Sequence, residues 1–230
     1  MPPTWGRCLG SLVAAEVAVD NDVLHKLACY GLLVEGREVL CGSEGPSVLG
    51  AARYVVGGLL GRGDRDEGTA RVNGFRAFLE AANELEPTDD ELALSLELEE
   101  VAQRAGLEVD GGESQLLAIA TLRGFRLVVT GDKRAIEGAE ALLASVAWLE
   151  AIEGRIACFE QLMGSLVDML GSNVCHARVC SARQVDKAMS ACFGCNGAVI
   201  DEDSIRLGLK SYVEHLRRRA PAVLMPGESV

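Results

Sequence analysis

The chain has 230 residues, of which 49% are hydrophobic, and its formal net charge is −12. This length provides a core for one large domain, or for one domain with an appendage. The acidity argues against broad, nonspecific affinity for nucleic acid, because such affinity depends on Lys and Arg replacing counterions along the phosphates. The apolar stretches are too short or too interrupted for a membrane span and the N-terminus shows no secretory signal pattern, so we expect no membrane partner and a cytoplasmic location.

Strand and helix signals alternate from the first apolar segment onward. Residues 17–19 predict a strand that turns at Asp20 into a helix ending near Gly31. Residues 38–42 predict a second short strand, followed by a buried helix over 46–60. The chain therefore begins with two strand–helix units, the pattern of an α/β fold.

The middle of the chain is predicted to be helical before a further strand appears. A polar, Gly-containing loop over 61–70 is followed by helices over 72–85, 88–106 and 112–124. The apolar run 127–129 predicts a buried strand, and a last helix of this part is expected over 138–150. Together these elements favour a three-layer α/β domain with a central parallel sheet and helices on both faces.

This pattern of strands and helices predicts a candidate site of three acidic residues. Asp20 and Asp132 lie just beyond the ends of two predicted strands, and Glu113 lies in the first turn of the helix before the second of them. Open α/β sheets bind ligands at the carboxyl ends of their strands, so the three carboxylates are expected to share one crevice if those strands are neighbours.

Each acidic residue also has a purely structural interpretation. Asp20 and Asp22 suit helix caps, Asp132 suits a turn beside Gly131, and Glu113 complements the positive end of a helix dipole. The sequence leaves these interpretations open beside the functional one.

The segments that carry these acids resemble a PIN domain, a metal-dependent nuclease fold, over residues 15–145. The similar segments are VDNDVLHKLACYGLL, ELEPTDDELALSLELEEVAQRAGL and GESQLLAIATLRGFRLVVTGDKRAI. The resemblance implies that Asp20, Glu113 and Asp132 are catalytic and hold Mg²⁺ or Mn²⁺, with Asp22 and Asp110 as auxiliary ligands. It also implies hydrolysis of phosphodiester bonds, in RNA more than in other nucleic acid.

One departure from the family pattern favours an alternative function. The helix after the second strand usually carries another acid, whereas residues 46–60 contain none. Glu44 replaces it only if the preceding loop bends inward. A catalytically inactive PIN-like binding or scaffold protein is therefore the alternative to a nuclease.

Polar residues beside Asp132 are expected to support phosphodiester hydrolysis. The hydroxyl of Thr130 is placed to orient a carboxylate or a metal-bound water, and Lys133 and Arg134 are candidates for holding a substrate phosphate. All three residues lie just beyond the end of the predicted strand.

The character of the sequence changes near residue 149, so we expect a PIN-like domain over 1–148 and a mainly helical C-terminal region over 149–230. The spacing C-x4-C-x11-C-x2-C is formed by Cys175, Cys180, Cys192 and Cys195. Its closing C-x2-C resembles a zinc knuckle, but the pattern favours buried structural thiols over a metal site. A regulatory role in sensing metal or redox state also stays open, as do a protein partner and homo-oligomerisation.

Overall fold

A computed structural model describes residues 16–42, 44–62, 65–197 and 201–230. The N-terminal segment that was judged to lack a secretory signal lies outside the described residues. None of the described helices combines the length and the apolar character needed to cross a membrane.

Five short parallel strands form one central sheet. In chain order they are β1 (Val17–Val19), β2 (Ser47–Leu49), β3 (Asn83–Leu85), β4 (Leu127–Thr130) and β5 (Ile156–Cys158). Their order across the sheet is β3-β2-β1-β4-β5, so β1 and β4 are neighbours although more than a hundred residues separate them. Ala18 pairs with Val128 in this central contact. The predicted α/β class with a parallel sheet is confirmed.

Eleven α-helices and one 3₁₀ helix are present in the described residues. The helices are α1 (Asn21–Tyr30), α2 (Leu33–Cys41), α3 (Ala52–Leu60), α4 (Arg65–Glu80), α5 (Asp89–Ala105), α6 (Gly111–Arg123), α7 (Lys133–Leu142), α8 (Phe159–Leu170), α9 (Ser172–Ser181), α10 (Lys187–Cys192) and α11 (Glu202–Arg219), and the 3₁₀ helix covers Ala147–Ile152.

The helices cover both faces of the sheet because successive strand residues point to opposite sides. Val17 and Val19 join one apolar core, which α1 to α4 and α8 to α10 cover. Ala18 joins the other core, which α5 to α7 and the 3₁₀ helix cover. Helix α11 contributes Ile205 to the first core and Val213 to the second, so it packs along the edge of the sheet. The result is a three-layer arrangement.

Several predicted elements were wrong in the first half of the chain. Residues 38–42 belong to the end of α2 and not to a strand. The segment 46–60, predicted as one helix, contains β2 before α3 begins. The region 72–85 contains the end of α4 and then β3, which was not predicted. A three-residue strand is hard to distinguish from a helix end by its hydrophobic pattern alone, and β3 also contains the exposed polar residues Asn83 and Glu84.

The predicted domain boundary near residue 148 is not a structural break. β5 extends the sheet by pairing with β4, and Ile156 also bridges to Leu224 near the C-terminus. Both apolar cores contain residues from before and after position 148. Residues 149–230 are mainly helical, as predicted, but they complete the same fold.

Candidate active site

The predicted acidic residues line one open cleft of about 780 Å³ at the carboxyl edge of the sheet. Asp20 directly follows β1, Asp132 follows β4 after one glycine, and Glu113 lies in the first turn of α6. Asp22 and Asp110 line the same cleft. Because β1 pairs with β4, the fold brings acids from the first and middle thirds of the chain together.

Asp20 is buried, with 8% of its surface exposed, and both carboxylate oxygens accept hydrogen bonds. The backbone N–H of Asn21 donates to Oδ1 across 2.7 Å, which caps α1, and the hydroxyl of Thr130 donates to Oδ2 across 3.1 Å. Burial raises the pKa of Asp20 to about 6, and the negative charges of Asp22 and Asp110 add to this increase. A cation bound nearby would therefore stabilise the ionised form of this carboxylate.

Glu113 and Asp110 form a reciprocal cap at the start of α6. The backbone N–H of Glu113 donates to Oδ1 of Asp110 across 2.8 Å, and the N–H of Asp110 donates to Oε2 of Glu113 across 3.1 Å. Burial raises the pKa of Glu113 to about 8, with further increases from the charges of Asp110, Asp132 and Asp20. The cap uses one oxygen of each carboxylate. The second oxygen of each can therefore contact a ligand in the cleft.

Asp132 differs from the other two acids because a cation already contacts it. Arg134 donates to its carboxylate through the backbone N–H at 2.8 Å and through Nη2 at 3.0 Å. Burial acts to raise the pKa of Asp132, but the hydrogen bonds and charge of Arg134 lower it overall. Arg134 is 70% exposed and also contacts Glu108 at 2.8 Å, so this predicted phosphate ligand lies beside Asp132 but is not among the residues that line the cleft.

A buried lysine that the sequence analysis did not select connects the cleft with the C-terminal helices. The ammonium group of Lys26 lies 2.6 Å from Asp22 and 2.8 Å from Asp186, the residue that caps α10. Its signal in the sequence was the spacing of Asp22 and Lys26, which places opposite charges four residues apart on one helix. A methyl group built on Gly131 would overlap the carboxylate of Asp22, so glycine is needed where β4 ends.

Two predicted site residues lie elsewhere. Lys133 forms an ion pair with the buried Glu160 at 2.5 Å and lies over the ring of Tyr212, so it supports α8 and α11 and does not line the cleft. Glu44 is exposed and precedes β2, which places it at the amino edge of the parallel sheet, opposite the acidic cleft. Its selection depended on the wrong assignment of the second strand.

The wall of the cleft opposite α6 is apolar. It consists of Leu49 at the end of β2 and of Ala51, Val55 and Leu59 beside or on α3. No acid replaces the carboxylate that the family pattern leads one to expect from this helix. The prediction missed these residues because it placed the second strand at 38–42.

The predicted zinc site is not formed. Cys180 and Cys195 are joined in a disulfide, whereas Cys175 and Cys192 are free and belong to the apolar core beneath α8. Nδ1 of His176 donates a hydrogen bond to the carbonyl oxygen of Phe193 across 2.7 Å. The disulfide contradicts both the zinc site and free structural thiols at Cys180 and Cys195, whereas apolar burial accounts for Cys175 and Cys192.

The donor set of the cleft suits a hard cation. Its ligands are carboxylate oxygens, the type that Mg²⁺ and Mn²⁺ prefer. Across the described ranges, no three acidic, His or Cys side chains form a closed ligand set. Mg²⁺ usually keeps several waters and binds through one or two carboxylates, so an open arrangement of acids is compatible with it.

No protein-family model matches this sequence. No curated protein matches it either.

Proposed function

We propose that this protein is a PIN-like nuclease that hydrolyses phosphodiester bonds, more readily in RNA than in DNA, with Mg²⁺ or Mn²⁺ bound in the acidic cleft. The observation that carries the proposal is the meeting of Asp20, Glu113 and Asp132 in one cleft at the carboxyl edge of a parallel sheet. The three acids belong to distant segments of the chain, and helix capping alone gives no reason for them to share one cleft.

Asp20, Glu113 and Asp132 would hold the cation, with Asp22 and Asp110 close enough to contribute through water. Such a cation supplies a Lewis acid for a phosphoryl oxygen and lowers the pKa of a bound water. Burial of Asp20 and Glu113 favours this binding, since their charged forms are costly without a positive partner.

Polar residues next to these acids would position them and the substrate. Thr130 holds Oδ2 of Asp20, and Lys26 holds one oxygen of Asp22. The exposed guanidinium of Arg134 beside Asp132 supports a role in holding a nonbridging phosphate oxygen, for which Arg offers two parallel N–H donors. If Arg134 bound a substrate phosphate in place of Asp132, the carboxylate of Asp132 would be free to bind the cation.

Cleavage of a 5′-labelled single-stranded RNA with Mn²⁺ tests the proposal. Asp132→Asn and Glu113→Gln preserve size but remove the charge that holds the cation, so each is expected to abolish cleavage while the protein remains folded. Asp90→Asn provides a matched control, because Asp90 is an exposed acid in the first turn of α5. Equal cleavage by the wild type and by Asp132→Asn would contradict the proposal.

The apolar wall formed by α3 favours a second candidate, a catalytically inactive PIN-like binding module. A cleft with one carboxylate fewer would bind a cation or RNA without accelerating hydrolysis. Under that alternative, Mn²⁺ raises the melting temperature of the wild type but not of Asp20→Ala, and no RNA cleavage occurs. Cleavage that Asp132→Asn abolishes would exclude this candidate.

A further inference from the structure

The disulfide between Cys180 and Cys195 has no role in the nuclease proposal. It joins the end of α9 to the turn after α10, across a sequence separation of 15. Cys180 is half-buried, whereas Cys195 is only 8% exposed. A thiol in solution therefore reaches this bond through the sulfur of Cys180.

An imidazole ring lies beside the accessible sulfur. His176 precedes Cys180 by one turn of α9, and its Nδ1 lies 3.8 Å from Sγ of Cys180. The hydrogen bond from this nitrogen to the carbonyl oxygen of Phe193 holds the ring in place. When the disulfide opens, the ring faces a sulfur that can carry a negative charge. A neighbouring histidine stabilises a thiolate, and stabilising the reduced form makes a disulfide easier to reduce.

The segment around the disulfide is basic although the chain as a whole is acidic. Between positions 172 and 197 there are three basic residues, Arg178, Arg183 and Lys187, and one acidic residue, Asp186. The three basic residues are exposed, and two of them flank Cys180 in the sequence. Reactive cysteines occur in electropositive, partly exposed surroundings of this kind.

The nearest free cysteine in the sequence does not compete for the bond. Cys192 lies three residues before Cys195 and is buried in the apolar core. Burial raises the pKa of Cys192 to about 12, so near neutral pH it is a thiol and not the nucleophilic thiolate. Exchange at this disulfide therefore depends on a thiol from outside the chain.

Two ion pairs connect the disulfide loop with the acidic cleft. Asp186 lies inside the loop and caps α10, where its Oδ1 accepts the N–H of Met189 across 3.0 Å. Its Oδ2 lies 2.8 Å from the ammonium group of Lys26, which lies 2.6 Å from Asp22. A methyl group built on Gly131 would overlap the carboxylate of Asp22, so Asp22 packs against the turn after β4. A displacement of α10 is therefore transmitted to the cleft.

We propose that Cys180 and Cys195 form a redox-active disulfide that thiol reductants open, and that its opening weakens cation binding in the acidic cleft by releasing Asp186 from Lys26. The second part rests on the proposed cation-binding function of the cleft. An ammonium group released from Asp186 competes more strongly with a cation for Asp22. The loss of order around Asp22 acts in the same direction.

The exchange takes two thiols of the reductant. The first, as a thiolate, attacks Sγ of Cys180, so a mixed disulfide forms and the electron pair of the broken bond leaves on Sγ of Cys195, which takes up a proton. The second thiol attacks the sulfur of the bound reductant and displaces Sγ of Cys180, beside His176. Two reductant thiols thus become one disulfide, and their two electrons and two protons are transferred to the two cysteines.

Equilibration with mixtures of reduced and oxidised glutathione tests the exchange site. Alkylation followed by mass spectrometry measures the reduced fraction of Cys180. The wild type is expected to change from oxidised to reduced across these mixtures, whereas a structural disulfide resists reduction by glutathione. His176→Asn keeps an N–H donor for Phe193 but loses the imidazole, so the equilibrium constant for reduction should decrease by about 10-fold, or about 30 mV. His215→Asn, at an exposed histidine of α11, is the matched control and should behave like the wild type.

Isothermal titration with Mn²⁺, after removal of glutathione, tests the link to the cleft. The reduced wild type should bind Mn²⁺ about 10-fold more weakly than the oxidised form, the lower end of the range for groups that orient metal ligands. Asp186→Asn keeps the cap of α10 but loses the charge that holds Lys26, so its affinity should be low and equal in both states. Asp203→Asn, at an exposed acid in the first turn of α11, should keep the wild-type difference.

Two outcomes would overturn the inference. A disulfide that stays oxidised in every glutathione mixture would be structural. Equal Mn²⁺ affinities of the oxidised and reduced wild type would show that opening the bond does not affect the cleft.

Other outcomes separate this inference from the proposed function. Redox-dependent Mn²⁺ binding without RNA cleavage would contradict the nuclease proposal and leave the inference standing. If neither state binds Mn²⁺, cation binding by the cleft is contradicted, and hydrogen exchange at Gly131 decides the link. Faster exchange on reduction in the wild type, but not in Asp186→Asn, would support the link, and equal rates would overturn it.

Discussion

The hydroxyl of Thr130 donates a hydrogen bond to Oδ2 of Asp20 across 3.1 Å, although the two residues are 110 positions apart in the sequence. The same oxygen of Thr130 accepts the backbone N–H of Asp132 at 3.1 Å. One hydroxyl group therefore fixes the orientation of two candidate metal ligands at the ends of neighbouring strands. Groups that orient ligands in this way affect both metal affinity and activity.

The variant Thr130→Val tests whether Thr130 orients the candidate metal ligands Asp20 and Asp132 without being required for folding. The variant keeps the shape of the side chain but loses both hydrogen bonds, so Mn²⁺ affinity and RNA cleavage are expected to decrease by about 10- to 100-fold. Thr130→Ser retains the hydroxyl and should retain most of the activity. Isothermal titration with Mn²⁺ measures the affinity without depending on cleavage. Equal affinities of Thr130→Val and the wild type would show that Asp20 does not need this contact.

The pH dependence of stability tests the charges of the cleft in the absence of divalent cations. The folded protein holds protons on Glu113, with a pKa of about 8, and on Asp20, with a pKa of about 6, whereas the unfolded chain releases both near their ordinary values of 4.5 and 3.8. Between about pH 4.5 and pH 8 the folded state thus binds more protons. The free energy of unfolding should therefore decrease by several kcal/mol as the pH rises through this window.

Glu113→Gln should flatten this decrease and stabilise the protein at pH 8, because the amide keeps the hydrogen bond of the cap without the buried charge. Glu100→Gln, on an exposed face of α5, is the matched control and should keep the wild-type profile. Urea unfolding in EDTA at pH 5.5, 7 and 8.5 measures the effect. Equal unfolding free energies for the wild type at these three pH values would contradict the raised pKa values.

The sequence predicted the positions of the acids at the strand ends better than it predicted the strands around them, and the reason is physical. Asp20 and Asp132 follow strands whose apolar residues are continuous, and the capping chemistry of α1, α5 and α6 is local. Strands β3 and β5 contain three residues each and gain their stability from neighbours distant in sequence, so no local pattern marks them. The partners of Lys133 and Lys26 were missed for the same reason, because Glu160 and Asp186 lie in a segment that seemed to form a separate domain.

Lys26→Met should destabilise the protein by about 3 kcal/mol, because it leaves the largely buried carboxylate of Asp186 without its cation. Burial acts to lower the pKa of Lys26, but Asp22 and Asp186 raise it overall, so the ammonium form is the native partner. In the double variant Lys26→Met with Asp186→Asn, the loss should be smaller than the sum of the single losses. Lys187→Met, an exposed lysine of α10, should change the stability by less than about 0.5 kcal/mol. Additive losses in the double variant would show that the two side chains act independently.

The disulfide between Cys180 and Cys195 should stabilise the C-terminal helices more than the cleft. It closes a loop of 15 residues that joins α9 to the end of α10. Closing a loop of this size in the unfolded chain is worth roughly 3 kcal/mol. Reduction, or a Cys180→Ser variant, is therefore expected to lower the free energy of unfolding by about this amount. Hydrogen exchange should increase over residues 172–197 while β1 and β4 remain protected.

Cys41→Ser is the control for the loss of a sulfur, because Cys41 is a free, partly buried cysteine outside this loop. The control should respond to dithiothreitol as the wild type does, whereas Cys180→Ser should no longer respond. Since Asp186 lies inside the disulfide loop and contacts Lys26, Mn²⁺ affinity should decrease modestly on reduction through the loss of order around Asp22. Identical unfolding midpoints for the oxidised and reduced wild type would show that packing of Phe193 and Met189 in the core already fixes this segment without the covalent bond.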